Sequence, residues 1–121
     1  MHHSHMRVIY PTLILCAISL SVPDSAHAAS FDCNKARATD ERAVCASRSL
    51  SEMDVEMAVR FQMLAGLVPM GTRGDMGDAQ REFLRQRARC GAGNNCLTAL
   101  YRARIIRLKT QYLSLKSRGP F

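Results

Sequence analysis

Cys33, Cys45, Cys90 and Cys96 are the side chains of this chain best placed to do chemistry, and their spacing decides which kind. Eleven residues separate the first two and five the last two. The ligand pairs of a four-cysteine zinc site sit two to four residues apart, and a thiol oxidoreductase uses C-x-x-C, so neither chemistry fits. An even number of cysteines behind a removable leader suits a disulfide framework in an oxidising compartment. Four cysteines allow three pairings. The spacing favours Cys33 with Cys45 and Cys90 with Cys96, because each pair brackets an element junction within short reach, and bridging across helices is the alternative. Closing the first loop contributes about 3 kcal/mol by the chain-entropy argument, a large share of a small domain's stability.

The leader is read in residues 1–28: a short basic start with His2, His3, His5 and Arg7, an apolar run from Val8 to Val22, and the small-residue ending Ala26, His27, Ala28. The run holds Pro11 and is short for a bilayer span, and Met6 opens a more conventional signal. Cys16 follows bulky Leu15, where a lipid-anchored cysteine wants a small neighbour. Cleavage before Ala29 leaves residues 29–121 as one periplasmic or secreted domain with no transmembrane segment.

That cut takes away all four histidines, and with them Ser-His, Cys-His and His-ligated metal chemistry within the chain. A glycosidase needs two placed carboxylates and a cleft that grips sugar, and no pair here is set in that way. No cofactor or metal is expected. Met53, Met57, Met63, Met70 and Met76 read as core residues at helical spacing rather than soft-metal ligands, with Met63 and Met70 the two expected at the surface. Without Trp, and with Phe31, Phe61, Phe83, Tyr101, Tyr112 and Phe121 the only aromatics after the leader, no stacking platform for sugar or single-stranded nucleic acid is evident. The chain reads as a binding protein rather than an enzyme.

The elements that must position these residues are helical, with no convincing alternating strand. Thr39 is expected to cap a short helix through Cys45 and Ala46, with Asp40 and Glu41 in its first turn. A second helix is predicted from near Ser51, with Ser51 and Asp54 resembling a capping box, and Leu50, Met53, Met57, Phe61, Leu64 and Val68 along its core face. Pro69, Gly71 and Gly74 predict a turn between Gly66 and Gly77. A third helix follows from about Asp75 or Asp78 to Arg89, burying Met76, Ala79, Phe83 and Leu84. After a tight turn and a cap at Asn95, the last helix carries Leu97, Leu100, Tyr101, Ile105, Leu108, Tyr112 and Leu115 on one side, with a frayed tail over residues 110–121. The fold class is all-α, a small disulfide-stapled bundle of three to four helices with a long helical hairpin.

These residues resemble the LprI-like lysozyme inhibitor family. The resemblance rests on Phe31, Asp32 and Cys33, then Cys45, then Leu50, Ser51 and Asp54, then Gln80, Arg81, Phe83, Leu84, Arg87 and Cys90, and finally Cys96, Leu97, Tyr101, Arg104, Ile105 and Leu108. It extends over the chain after the leader to about Leu108. Phe83 stands where the family commonly has Trp, and Ala88 where an acid is usual. The resemblance implies a small helical, disulfide-linked envelope domain that binds and blocks lysozyme.

Charge bears on the partner. The chain carries a net +7, divided unevenly: Ala29 to Gln80 holds six basic and eight acidic residues, whereas Arg81 to Phe121 holds ten basic residues against Glu82 alone. Long-range repulsion would slow encounter with a basic lysozyme, so inhibition calls for a local acidic patch. Glu52, Asp54 and Glu56 are the candidates, although acids there also complement a helix dipole and Glu56 can pair with Arg60. The target is alternatively another muramidase, including one made by the same cell. A second reading takes Arg81, Arg85, Arg89, Arg102, Arg107 and Lys109 as a basic face for an anionic envelope polymer, lipid head groups or an acidic partner protein, or simply as a solvated surface. Nucleic acid is not an expected partner.

Overall fold

A computed structural model describes residues 29–119; residues 1–28, read from the sequence as a leader and including Cys16, lie outside the described residues. After a single 3₁₀ turn at Cys33–Lys35 come four helices: α1 (Thr39–Ala46), α2 (Arg48–Leu67), α3 (Met70–Cys90) and α4 (Asn94–Lys116). The described residues contain no strand, and the architecture is a disulfide-stapled helical bundle.

The helix starts differ from the sequence expectation. Thr39 is the first helical residue of α1, and the capping is done by Glu41, whose carboxylate accepts the N–H groups of Arg37 (3.0 Å) and Ala38 (3.2 Å). Helix α2 starts at Arg48, with Ser47 as its cap through a 3.3 Å bond from the Leu50 N–H. Ser51 is therefore inside the helix and buried, donating its hydroxyl to the Val44 carbonyl at 2.7 Å and so tying α2 to α1. The turn expected between Gly66 and Gly77 is made at Val68 and Pro69, and α3 starts at Met70 rather than near Asp75 or Asp78, so Gly71, Gly74 and Gly77 lie in its first turns. Only Val68 and Pro69 separate α2 from α3, with Pro69 at the N-cap. Arg73 clamps this corner, donating to the carbonyls of Ala65 (2.8 Å) and Val68 (3.4 Å) at the end of α2. At the opposite corner Gly91 takes φ +54°, a conformation open to glycine, and α4 begins at Asn94 with Gly93 as its N-cap.

Helices α2 and α4 run in the same direction and pack most extensively, while α3 runs antiparallel to both, against α4 and only sparsely in contact with α2. The core is Val44, Leu50, Met57, Leu64, Met76, Phe83, Leu97, Tyr101, Ile105 and Leu108, with the Phe83 ring edge-on to Tyr101 at 5.1 Å between centroids. Two residues expected on inward faces, Leu84 and Tyr112, are exposed. Helix α4 continues through Lys116, past the point where fraying was expected. Both disulfides are local: Cys33–Cys45 pins the N-terminal segment to α1, and Cys90–Cys96 closes the α3–α4 corner. With their sulfurs bonded to each other, these cysteines offer no thiolate to a metal.

Candidate functional site

A buried polar cluster lies where α1, α2, α3 and α4 converge. Arg87, at the point where α3 faces the core, donates from Nε to Asp40 Oδ2 of α1 at 2.7 Å. Its Nη1 lies 3.4 Å from the Tyr101 hydroxyl and 3.7 Å from Asp54 Oδ1. The Tyr101 hydroxyl donates to Asp54 Oδ1 at 2.7 Å, and the Ser30 backbone N–H donates to Asp54 Oδ2 at 2.6 Å. Phe31 covers the guanidinium, 5.2 Å from its ring centroid, so the N-terminal segment closes the cluster over. A second arm joins Arg104 to Gln80 Oε1 through Nη2 (3.1 Å) and Nε (3.2 Å), and the Gln80 amide donates on to Met57 Sδ at 3.3 Å. Among the described residues no buried side-chain polar atom lacks a partner.

The electrostatics follow from this packing. Burial pushes the Tyr101 phenol well above its ordinary value, and the neighbouring Asp54 charge adds to the effect. Burial alone would lower Arg87, but its bonds to Tyr101 and Asp40 outweigh it and hold the guanidinium charged. Arg104 is lowered, by burial and then by the like charge of Arg107. Two acids, one guanidinium and one phenol saturate one another here, so no carboxylate is left to act as a free acid or base.

The surface residues chosen from sequence are distributed unevenly. Asp54 is a correction: it is only 1 % exposed and belongs to the buried cluster, so it shares no surface with Glu52 and Glu56. Those two do face outward on α2, but each has a cation. Glu52 accepts from Arg48 at 2.9 Å; Glu56 accepts from Arg60 at 2.8 Å and has Lys109 of α4 at 3.6 Å. The hydrogen bond from Arg60 holds the Glu56 carboxyl below its ordinary value against the opposing effect of burial, with the charges of Arg60 and Lys109 reinforcing it. Locally the patch is charge-balanced rather than acidic.

The six basic residues do not form one face. Arg81, Arg85 and Arg89 make an exposed stripe at i, i+4 spacing on α3, where Arg81 pairs with Asp78 and Arg85 with Glu82. Arg107 lines the groove between α3 and α4 with Glu82, Gln86 and Ala103. Arg102 and Lys109, seven residues apart, share the other side of α4, where Lys109 reaches α2; Arg107 is about 140° around the helix from Arg102.

Sequence reasoning passed over two features. One is the cleft of about 350 Å³ left by the sparse α2–α3 contact, walled by Phe31, Met57, Phe61 and Leu84 over the Asp54–Arg87 floor. The other is a run of exposed apolar residues on α2, Val55, Val59, Met63 and Leu67, of which only Met63 was expected outside, although the four-residue spacing was visible in the sequence behind the stronger core stripe. Among the described residues no group of three or more His, Cys, Asp or Glu is placed to hold a metal ion, and no helix is long and apolar enough to cross a membrane. Comparison with protein families, with curated proteins and with solved structures found no match.

Proposed function

We propose that this chain is a non-enzymatic binding domain of the bacterial envelope that blocks a lysozyme or another muramidase. The observation that carries the binding reading is the closed polar cluster: Asp40, Asp54, Arg87 and Tyr101 are bonded to one another inside the bundle, which favours a structural role over catalysis. Two disulfides suit an oxidising compartment outside the cytoplasm. Support for a muramidase as the partner comes from the resemblance alone. Many of the residues that carry it, among them Leu50, Ser51, Asp54, Phe83, Arg87, Leu97, Tyr101 and Arg104, are buried here, so they specify the scaffold and leave the contact surface to exposed positions. Glu52 and Glu56 remain the candidate contacts, each able to exchange its present cation for one on a basic enzyme.

The test is lysis of a peptidoglycan suspension by several lysozymes and a bacterial muramidase, with and without the oxidised protein, at low and moderate salt. The expected result is inhibition that persists at moderate salt and weakens at least fivefold in E52Q/E56Q. Absence of inhibition toward every enzyme overturns the reading. It would leave the second, anchored on the exposed α3 stripe of Arg81, Arg85 and Arg89, in which the domain holds an anionic envelope polymer, lipid head group or acidic protein.

A further inference from the structure

Arg104 is a buried cation without a counter-ion. It is 7 % exposed, and of the four buried charges among the described residues it alone has no opposite charge within ion-pair reach. Asp40, Asp54 and Arg87 answer one another, whereas Arg104 meets only the neutral amide of Gln80. Taking an ion out of water is unfavourable, and a bond to an amide offsets only part of that. Gln80 Oε1 occupies the Nε and Nη2 side of the guanidinium, so Nη1, with its two N–H donors, has no partner among the described residues. Every fully buried side-chain polar atom there is bonded, so Nη1 keeps an open side. The cavity that Arg104 lines is the groove of about 210 Å³ between α3 and α4, where Ala79 and Ala103 contribute short side chains.

Arg107, one turn further along α4, lines the same groove, is exposed, and makes no ion pair or hydrogen bond among the described residues. The two guanidiniums feel each other, since the Arg107 charge adds to the lowering of Arg104. Glu82, the acid on the groove wall, does not answer them. Its Oε2 accepts from Arg85 at 2.6 and 2.9 Å, and its Oε1 from the Gln86 amide at 3.0 Å. Two positive charges are therefore left over in one groove. We infer that the groove binds a terminal phosphate group, which accepts from Arg104 Nη1 at the bottom and from Arg107 at the rim. A phosphate monoester brings close to two negative charges and three strong acceptor oxygens, enough for both cations, where a carboxylate brings one charge and two oxygens. The burial of Arg104 requires the anion to enter the groove, and a terminal phosphate can do so while a diester is flanked on both sides by its substituents. This site is separate from the α3 stripe of Arg81, Arg85 and Arg89 and does not depend on the muramidase reading.

The test is isothermal titration calorimetry of the oxidised protein with inorganic phosphate at constant ionic strength in chloride. The expected result is one saturable site that Arg107→Gln weakens about tenfold. Arg102→Gln, which removes the same charge from the other side of α4, should leave it unchanged. Because Arg104→Gln alters a buried residue, Arg104 is read in the unsubstituted protein: its guanidinium carbon resonance should shift with the same midpoint as the heat. Flotation with phosphatidylcholine vesicles carrying phosphatidic acid distinguishes the sources of the phosphate. Binding that is lost in Arg107→Gln places the group on a lipid, and binding of free phosphate alone places it on a soluble molecule. No saturable binding of either probe, affinity for phosphate indifferent to Arg107→Gln, or an Arg104 resonance that does not move would overturn the inference. So would tighter binding of glutarate than of phosphate, which would give the groove to an acidic protein side chain.

Discussion

Asp54 collects bonds from the Tyr101 hydroxyl and the Ser30 backbone and shares its charge with Arg87, and single substitutions there should be costly in a graded way. Arg87→Met leaves Asp40 and Asp54 buried without their cation and is expected to lower stability by about 3–5 kcal/mol. Tyr101→Phe removes one donor from Asp54 and should cost about 1–3 kcal/mol. Urea unfolding followed by circular dichroism measures both. The raised Tyr101 phenol makes a prediction with a definite sign. Its folded value lies above its ordinary value of 10.0. It therefore contributes stability that is complete below pH 10 and is lost as pH rises from there through the folded value. In an alkaline titration followed by phenolate absorbance, Tyr101 should ionise only together with unfolding, and in Tyr101→Phe the alkaline loss of stability should be shallower. The identities in this cluster stood in plain view in the sequence, but their burial did not. Asp40 and Arg87 are 47 positions apart, as are Asp54 and Tyr101, and a charge is tolerated inside only because such a distant partner meets it. Local pattern accordingly placed Asp54 on the surface beside Glu52.

Helix α3 is the element whose local sequence and observed state disagree most. Gly71, Gly74 and Gly77 weaken its first turns, yet the Arg73 clamp on α2 and the burial of Met76 hold them helical. Gly71→Ala with Gly74→Ala, where an added methyl meets nothing within 4 Å, is therefore expected to raise stability by about 1–2 kcal/mol, read as a higher urea midpoint. Gly91→Ala should do the reverse. It forces a side chain onto φ +54° at the α3–α4 corner, at a cost of about 1–3 kcal/mol. Apolar spacing made the core faces of α2 and α4 legible from Leu50 to Leu64 and from Leu97 to Leu108, and short separation made both disulfides legible. The start of α3 was hidden because glycine and proline punctuate most sequences at turns, and here Arg73, from within the glycine-bearing segment, overrides them by its bonds to the end of α2.

At the scale of the molecule, the two disulfides hold different things. Replacing Cys33 and Cys45 by Ser releases the segment that carries Ser30 and Phe31 over the polar cluster and is expected to cost about 3 kcal/mol. Replacing Cys90 and Cys96 frees a shorter loop and should cost about 2 kcal/mol. Thermal melts of each serine pair, against the fully reduced protein, check the order. The pairing of α2 with α4 has a consequence for how such a chain is made. Its most extensive interface joins the second helix to the last one, across the whole of α3. While a ribosome is still delivering α4, the earlier helices lack the core side chains Leu97, Tyr101, Ile105 and Leu108 and the Tyr101 hydroxyl that donates to Asp54, and the nascent chain cannot close its core. It stays threadable until α4 has been delivered, a state compatible with passage through a channel that admits only unfolded chains.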